Sequence, residues 1–72
     1  MFDSIFEAAY LRAMRLELAR AELAAGRHGA SVATVANAVG FGHLGRFAHD
    51  YAARFGELPS QTLYRGSIGQ PH

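Results

Sequence analysis

The sequence predicts an all-α fold, on three observations. Apolar residues recur at helical spacing, most clearly at Leu44, Phe47, Tyr51 and Phe55. Alanine and leucine are abundant, while β-branched residues are few outside positions 32–39, a composition that favours helix over strand. Glycines stand where helices would end, at Gly26, Gly40 and Gly56.

The elements follow in chain order. Ser4-Ile5-Phe6-Glu7 has the S-x-x-E form of a capping box, which starts a helix at Ser4. Alanine, leucine, arginine and glutamate carry it to Ala25, with Gly26 as the residue after its end. Such a helix is about 32 Å long. It bears two apolar stripes on nearly opposite sides, one of Leu11, Met14, Leu18, Ala21 and Ala25, the other of Ile5, Ala9, Leu16, Ala19 and Leu23. A surface helix needs one stripe. Either this helix is contacted on both sides, or its alanines blur a one-sided pattern; the sequence leaves both open.

A loop, 26–30, leads to Ser31, a good N-cap for a second helix over about 31–39 that carries Val35, Ala36 and Val39 on one face. Gly40-Phe41-Gly42 is the turn, and a third helix runs from His43 or Leu44 to Phe55. Pro59 suits the first turn of a fourth helix over about 59–65. Residues 1–66 therefore read as one domain, and 67–72, with Gly69 and Pro71, as a disordered tail. Two helices joined by a tight glycine turn make a helix-turn-helix, in a three- to four-helix, homeodomain-like unit with a long leading helix. The second helix of such a pair has the shape to enter a DNA major groove.

Length and composition bound the alternatives. A chain of 72 residues has room for one core and buries only about 60% of its unfolded surface. It has no cysteine, which removes disulfides and thiolate metal sites. No segment reads as a signal peptide or membrane span, so a soluble cytoplasmic protein is expected. Seven arginines and no lysine face six acids, a formal charge of +1, which is a small excess for a nucleic-acid binder. Arginine nevertheless supplies planar donors suited to phosphate and guanine.

With Leu44, Phe47, Tyr51 and Phe55 turned inward, 100° per residue turns Gly42, Gly45, Arg46, His49, Asp50 and Ala53 outward. Arg46 can donate two bonds to guanine O6 and N7, and His49 one bond to a base acceptor. Gly45 lets the backbone approach DNA, at roughly 0.5–1 kcal/mol relative to alanine. Asp50 repels phosphate unless it orients Arg46 one turn back or accepts from a cytosine amine. Phosphate contacts are expected at helix N-termini, from Ser31 with Val32 and from Ser60 with Gln61, with Arg54 and Arg65 as additions. For these arginines, pairing with Glu57 or solvent is the competing reading.

The run Ala36-x-x-Val39-Gly40-Phe41, then Phe47, Tyr51, Phe55-Gly56, Pro59 and Tyr64-Arg65, resembles the second helix-turn-helix of AraC/XylS-type transcription regulators. Tyr10-Leu11-Arg12, Arg15-Leu16 and Ala19-Arg20 resemble that family's linker helix, so the resemblance covers roughly residues 4–65. It implies double-stranded DNA as partner, with RNA polymerase as a further one. The family pattern often has a basic residue at the position of His49 and more at Ala52 and Ala53, and helix-capping serine, aspartate or threonine at His43 and Leu58. Their replacement predicts weak DNA affinity and soft helix starts. The resemblance also implies a first helix-turn-helix ahead of the linker helix, for which residues 1–9 are too short. The chain is then either a fragment of a longer regulator or a shortened relative. Phe2, Ile5 and Phe6 would lack a partner within the chain and favour a homodimer through the leading helix.

Enzymatic chemistry is not expected. His28, His43, His49 and His72 are scattered, and His43 and His49 are six apart, not the i, i+4 spacing of a helical zinc site. Asp3 and Glu7 serve the dipole of the first helix. No glycine-rich phosphate loop or nucleophile elbow occurs, so no cofactor or metal is implied. The reading that competes with DNA binding is a protein-interaction or oligomerisation module on a degenerate helix-turn-helix scaffold.

Overall fold

The structure, a computed structural model, describes the backbone of residues 2–68 and the side chains of residues 8–68. Four helices and no strand occur among the described residues: α1 (Phe2–Ala25), α2 (Val32–Ala38), α3 (Leu44–Phe55) and α4 (Pro59–Ile68). None is long and apolar enough to cross a membrane.

The local chemistry of each end explains the boundaries. Gly26 adopts φ 57 and donates its N–H to the Leu23 carbonyl at 3.1 Å, closing α1. The Ser31 hydroxyl accepts the Thr34 N–H at 3.1 Å and so caps α2. At the other end of α2, Gly40 has φ 95; its N–H reaches the Asn37 carbonyl while that of Phe41 reaches Ala36. This paired closure is a Schellman motif, and it supplies the tight turn of the helix-turn-helix. His43 opens α3 with no side-chain cap, and Gly56 ends it at φ 76.

One stripe of α1 forms the core with the other helices. Leu16, Ala19 and Leu23 are buried against Val35 and Ala36 of α2 and Phe47 and Tyr51 of α3. Rings run through this core without a break: Phe41–Phe47 at 5.0 Å, Phe47–Tyr51 at 5.6 Å and Tyr51–Phe55 at 4.6 Å between centroids. Such tilted pairs each contribute about 0.5–1.5 kcal/mol beyond area burial. The other stripe is bare: Leu11, Met14 and Leu18 are 45%, 44% and 55% exposed, and Tyr10 beside them 64%. Within the described residues, then, α1 is contacted on one side, and the second stripe is a true apolar face rather than a blur of alanines.

Glycines let α1 and α4 meet backbone to backbone. A Cβ on Gly66 would stand 2.5 Å from the Ala24 carbonyl oxygen, and one on Gly26 would stand 2.3 Å from the Gly66 carbonyl carbon. This contact holds α4 past Arg65.

Three expectations need correction. The backbone of α1 is helical from Phe2, two residues ahead of Ser4, so the S-x-x-E run does not mark the helix start. Ser67 and Ile68, expected in a disordered tail, form the last turn of α4, while residues 69–72 lie outside the described part. Leu44, expected in the core, is 47% exposed: it is the first residue of α3, and burial on this helix begins only with Phe47, three residues on.

Candidate nucleic-acid interface

The face of α3 opposite Phe47 and Tyr51 carries Gly45, Arg46, His49 and Ala53, all exposed. A Cβ at Gly45 would meet nothing within 4 Å, so packing within the chain does not require glycine there. The expected outward set is together on one surface, with one exception. Asp50 turns toward α1 and is partly buried; its Oδ2 has no hydrogen-bond partner and lies 3.6 Å from Arg46 Nε. That separation makes an ion pair longer than a hydrogen bond. Asp50 thus lies beside Arg46, one turn on, and on the flank of α3 that borders α1 rather than with Gly45 and His49.

The expected phosphate contacts sit on separate elements. Ser31 and Val32 open α2, where the Ser31 hydroxyl also lies 2.7 Å from Thr34 Oγ1. Ser60 is exposed in the first turn of α4. Gln61 Oε1 accepts the Leu58 N–H at 2.7 Å, the reciprocal half of a capping box, so α4 is capped even though Leu58 cannot cap it. Arg54 donates to Glu17 Oε2 from Nε at 3.1 Å and Nη2 at 3.0 Å, pairing α3 with α1 rather than with Glu57. Arg65 does pair with Glu57, at 2.6 Å. Both arginines keep exposed guanidinium groups. The side chains of Phe2, Ile5 and Phe6, expected to carry self-association, lie outside the described residues.

A polar chain behind α3 extends the Arg65–Glu57 pairing that the sequence allowed to two residues that were not site candidates, Tyr51 and Thr62. The buried Tyr51 hydroxyl donates to Thr62 Oγ1 at 2.8 Å, and the Thr62 hydroxyl donates to the Glu57 carboxylate, which also accepts from Arg65. The hydrogen bond from Arg65, then that from Thr62, pulls Glu57 down from 4.5 to about 2. Burial pushes the Tyr51 hydroxyl above its usual 10.0. The Arg65 guanidinium is held more firmly protonated by Glu57. The only signal in the sequence is the short spacing of Glu57, Thr62 and Arg65, which does not announce Tyr51. Among the described residues no three His, Asp or Glu side chains converge as a metal site would need.

Comparison with known proteins decides what this helix-turn-helix is. A family model described as a helix-turn-helix domain matches residues 8–65, most of the chain. XylDLEGF operon transcriptional activator 1 of Pseudomonas putida is 47% identical over 57 residues, 78% of this chain and 17% of that protein. The chain belongs to the AraC/XylS family of transcription regulators. XylDLEGF operon transcriptional activator 2 of the same organism is 49% identical over 55 residues, 75% of this chain and 35% of its own length. The chain thus spans between a sixth and about a third of these AraC/XylS relatives. No solved structure matches it.

Proposed function

We propose that this chain is a sequence-specific DNA-binding unit of a transcription regulator, with α3 as the helix that enters the major groove. One observation carries the reading: Gly45, Arg46 and His49 share the bare face of a helix whose opposite face is locked into the core. In this reading Arg46, steadied by Asp50, donates to guanine, and His49 donates to a neighbouring base acceptor. Gly45 brings the α3 backbone close to the duplex. Ser31, Val32 and Ser60 offer N–H groups at the starts of α2 and α4, Gln61 offers its side-chain amide because its backbone N–H is taken by the Leu58 carbonyl, and Arg54 and Arg65 add charge toward phosphates. The similarity to transcriptional activators of the XylDLEGF operon supports regulation of transcription.

Few arginines are spare, so binding is weak and electrostatic, with about two to four phosphate contacts and a log–log salt slope of about −2 to −4. A second unit, on the same polypeptide or on another copy, supplies the remaining specificity. The test measures affinity for a selected duplex and a scrambled one across a salt series. Arg46→Ala should shrink the preference between them, since a base contact carries about 1–3 kcal/mol of discrimination. Equal loss on both duplexes would place the reading face elsewhere.

The exposed stripe of Tyr10, Leu11, Met14 and Leu18 favours a second reading, in which the unit is a scaffold for protein contact or self-association through α1. Absence of DNA binding at low salt, together with a concentration-dependent oligomer, would decide for it.

A further inference from the structure

We infer that Arg12 of α1 is a phosphodiester-binding residue, so that the DNA face extends from α3 onto the leading helix. This rests on α3 entering the major groove.

The argument begins with how the arginines are committed. Arg27, Arg46, Arg54 and Arg65 each lie in an ion pair with a carboxylate. Arg20 stands over the Phe55 ring, 5.1 Å from its centre. Arg15 lies against the α2–α3 turn, its Nε 3.5 Å from where a Gly40 Cβ would be. Arg12 is exposed and, among the described residues, has no ion pair, hydrogen bond or ring contact.

Its position gives that free charge a direction. Arg12, Ala13 and Leu16 form one wall of an open groove of about 450 Å³, and Asp50, Ala53 and Arg54 of α3 form the other. Ala53 belongs to the outward face of α3, so the groove borders the reading face. Its small alanines leave the space between the two helices unfilled. A helix with its side chains is about 10–12 Å across, and the major groove is about 12 Å wide. A helix seated there has a sugar–phosphate backbone along each flank. The flank of α3 that carries Asp50 and Arg54 is the one facing α1. On it, Arg54 is offset by Glu17 and Asp50 is offset by Arg46, which leaves Arg12 as the uncompensated cation. A guanidinium on a flexible stem, next to a phosphate strand and without a protein carboxylate, is a charge-assisted donor to that strand.

The test compares the parent chain with Arg12→Ala, Arg12→Lys and Arg46→Ala, by fluorescence anisotropy on a selected and a scrambled duplex across a salt series. Arg12→Ala should weaken both duplexes by the same factor and reduce the magnitude of the salt slope by about 1. Arg12→Lys should keep the slope, because an ammonium also neutralises a phosphate. Arg12 is exposed, so an unchanged thermal melt by circular dichroism serves as the folding control. An unchanged slope in Arg12→Ala, with Arg46→Ala still altering sequence preference, overturns the role of Arg12 and leaves the α3 reading intact. A change in the selected-to-scrambled ratio on Arg12→Ala also overturns it, since phosphate contacts do not discriminate. Failure of the parent chain to bind either duplex overturns both.

Discussion

The two apolar stripes of α1 are similar in composition and opposite in fate. Leu16, Ala19 and Leu23 are within 4% of complete burial; Leu11, Met14 and Leu18, on the same helix, are about half exposed. Hydrophobicity alone therefore did not decide which side of α1 became core. The decision came from the partners: the Gly26–Gly66 contact seats the C-terminal part of α1 on α4, and the seat turns Leu23 and Ala19 toward the aromatic run of α3. A stripe is buried when a neighbour is anchored beside it, and a sequence shows stripes more plainly than anchors.

The largest expected effect tests the inner stripe. Leu23 is completely buried, so Leu23→Ala loses transfer energy and leaves a cavity, for about 2–5 kcal/mol of unfolding free energy. In a small domain that is a large share of the total, and urea unfolding should show a much lower midpoint or no cooperative transition. A loss below about 1 kcal/mol would mean the inner stripe is not the core.

The next effect tests the anchor. Gly66→Ala places a methyl 2.5 Å from the Ala24 carbonyl oxygen, and both neighbours are backbone, so α1 and α4 must separate. Overpacking of this kind costs about 1–3 kcal/mol. Equilibrium unfolding should show that loss, even though alanine is the better helix former by about 1 kcal/mol. If Gly66→Ala were stabilising, helix propensity would outweigh the contact and the two helices would not meet as described.

Acid should weaken the same side of the molecule. Glu57 titrates near 2 when folded, against 4.5 unperturbed, so the unfolded chain binds its proton first. The stability it contributes is complete above about pH 4.5 and is lost as pH falls from there through about 2. Thermal melts of Glu57→Gln should fall less steeply than those of the parent over this window. Identical acid limbs would remove the link from Arg65 and Thr62 to Glu57 as a source of stability.

The smallest effect belongs to the outer stripe. Leu18 is 55% exposed, and Leu18→Ala should change unfolding free energy by no more than about 0.5 kcal/mol at low protein concentration. A loss near that of Leu23→Ala would show that this stripe is covered in solution, and sedimentation of the two proteins would then reveal the covering copy.

The fold was legible because its decisive signals are local. Gly40-Phe41 after an apolar helix encodes the turn, and the i, i+4 aromatics Phe47, Tyr51 and Phe55 encode the inward face of α3. The family was legible from the same fixed positions. What escaped depends on distant pairs. Glu17 and Arg54 are 37 residues apart, and nothing in either segment names the other. Gly66 reads as a weak spot in a helix until Gly26 is set against it. Within the candidate site, Gly45, Arg46 and His49 fall on the exposed face that a helical wheel assigns them. Asp50 does not, because a wheel takes no account of α1 lying along the flank of α3.

The 24 residues of α1 form one uninterrupted helix, seated at its C-terminal end. It therefore acts as a lever arm keyed to a fixed angle. One residue inserted between Ala13 and Leu16 would shift everything before it by about 1.5 Å and turn it by about 100° relative to α3. Arg12 would swing off the α3 flank and Leu11 would rotate out of line with Leu18, while the core beneath Leu23 stayed in place. The phase of this rod, more than its length, sets how its N-terminal end is oriented relative to the exposed face of α3.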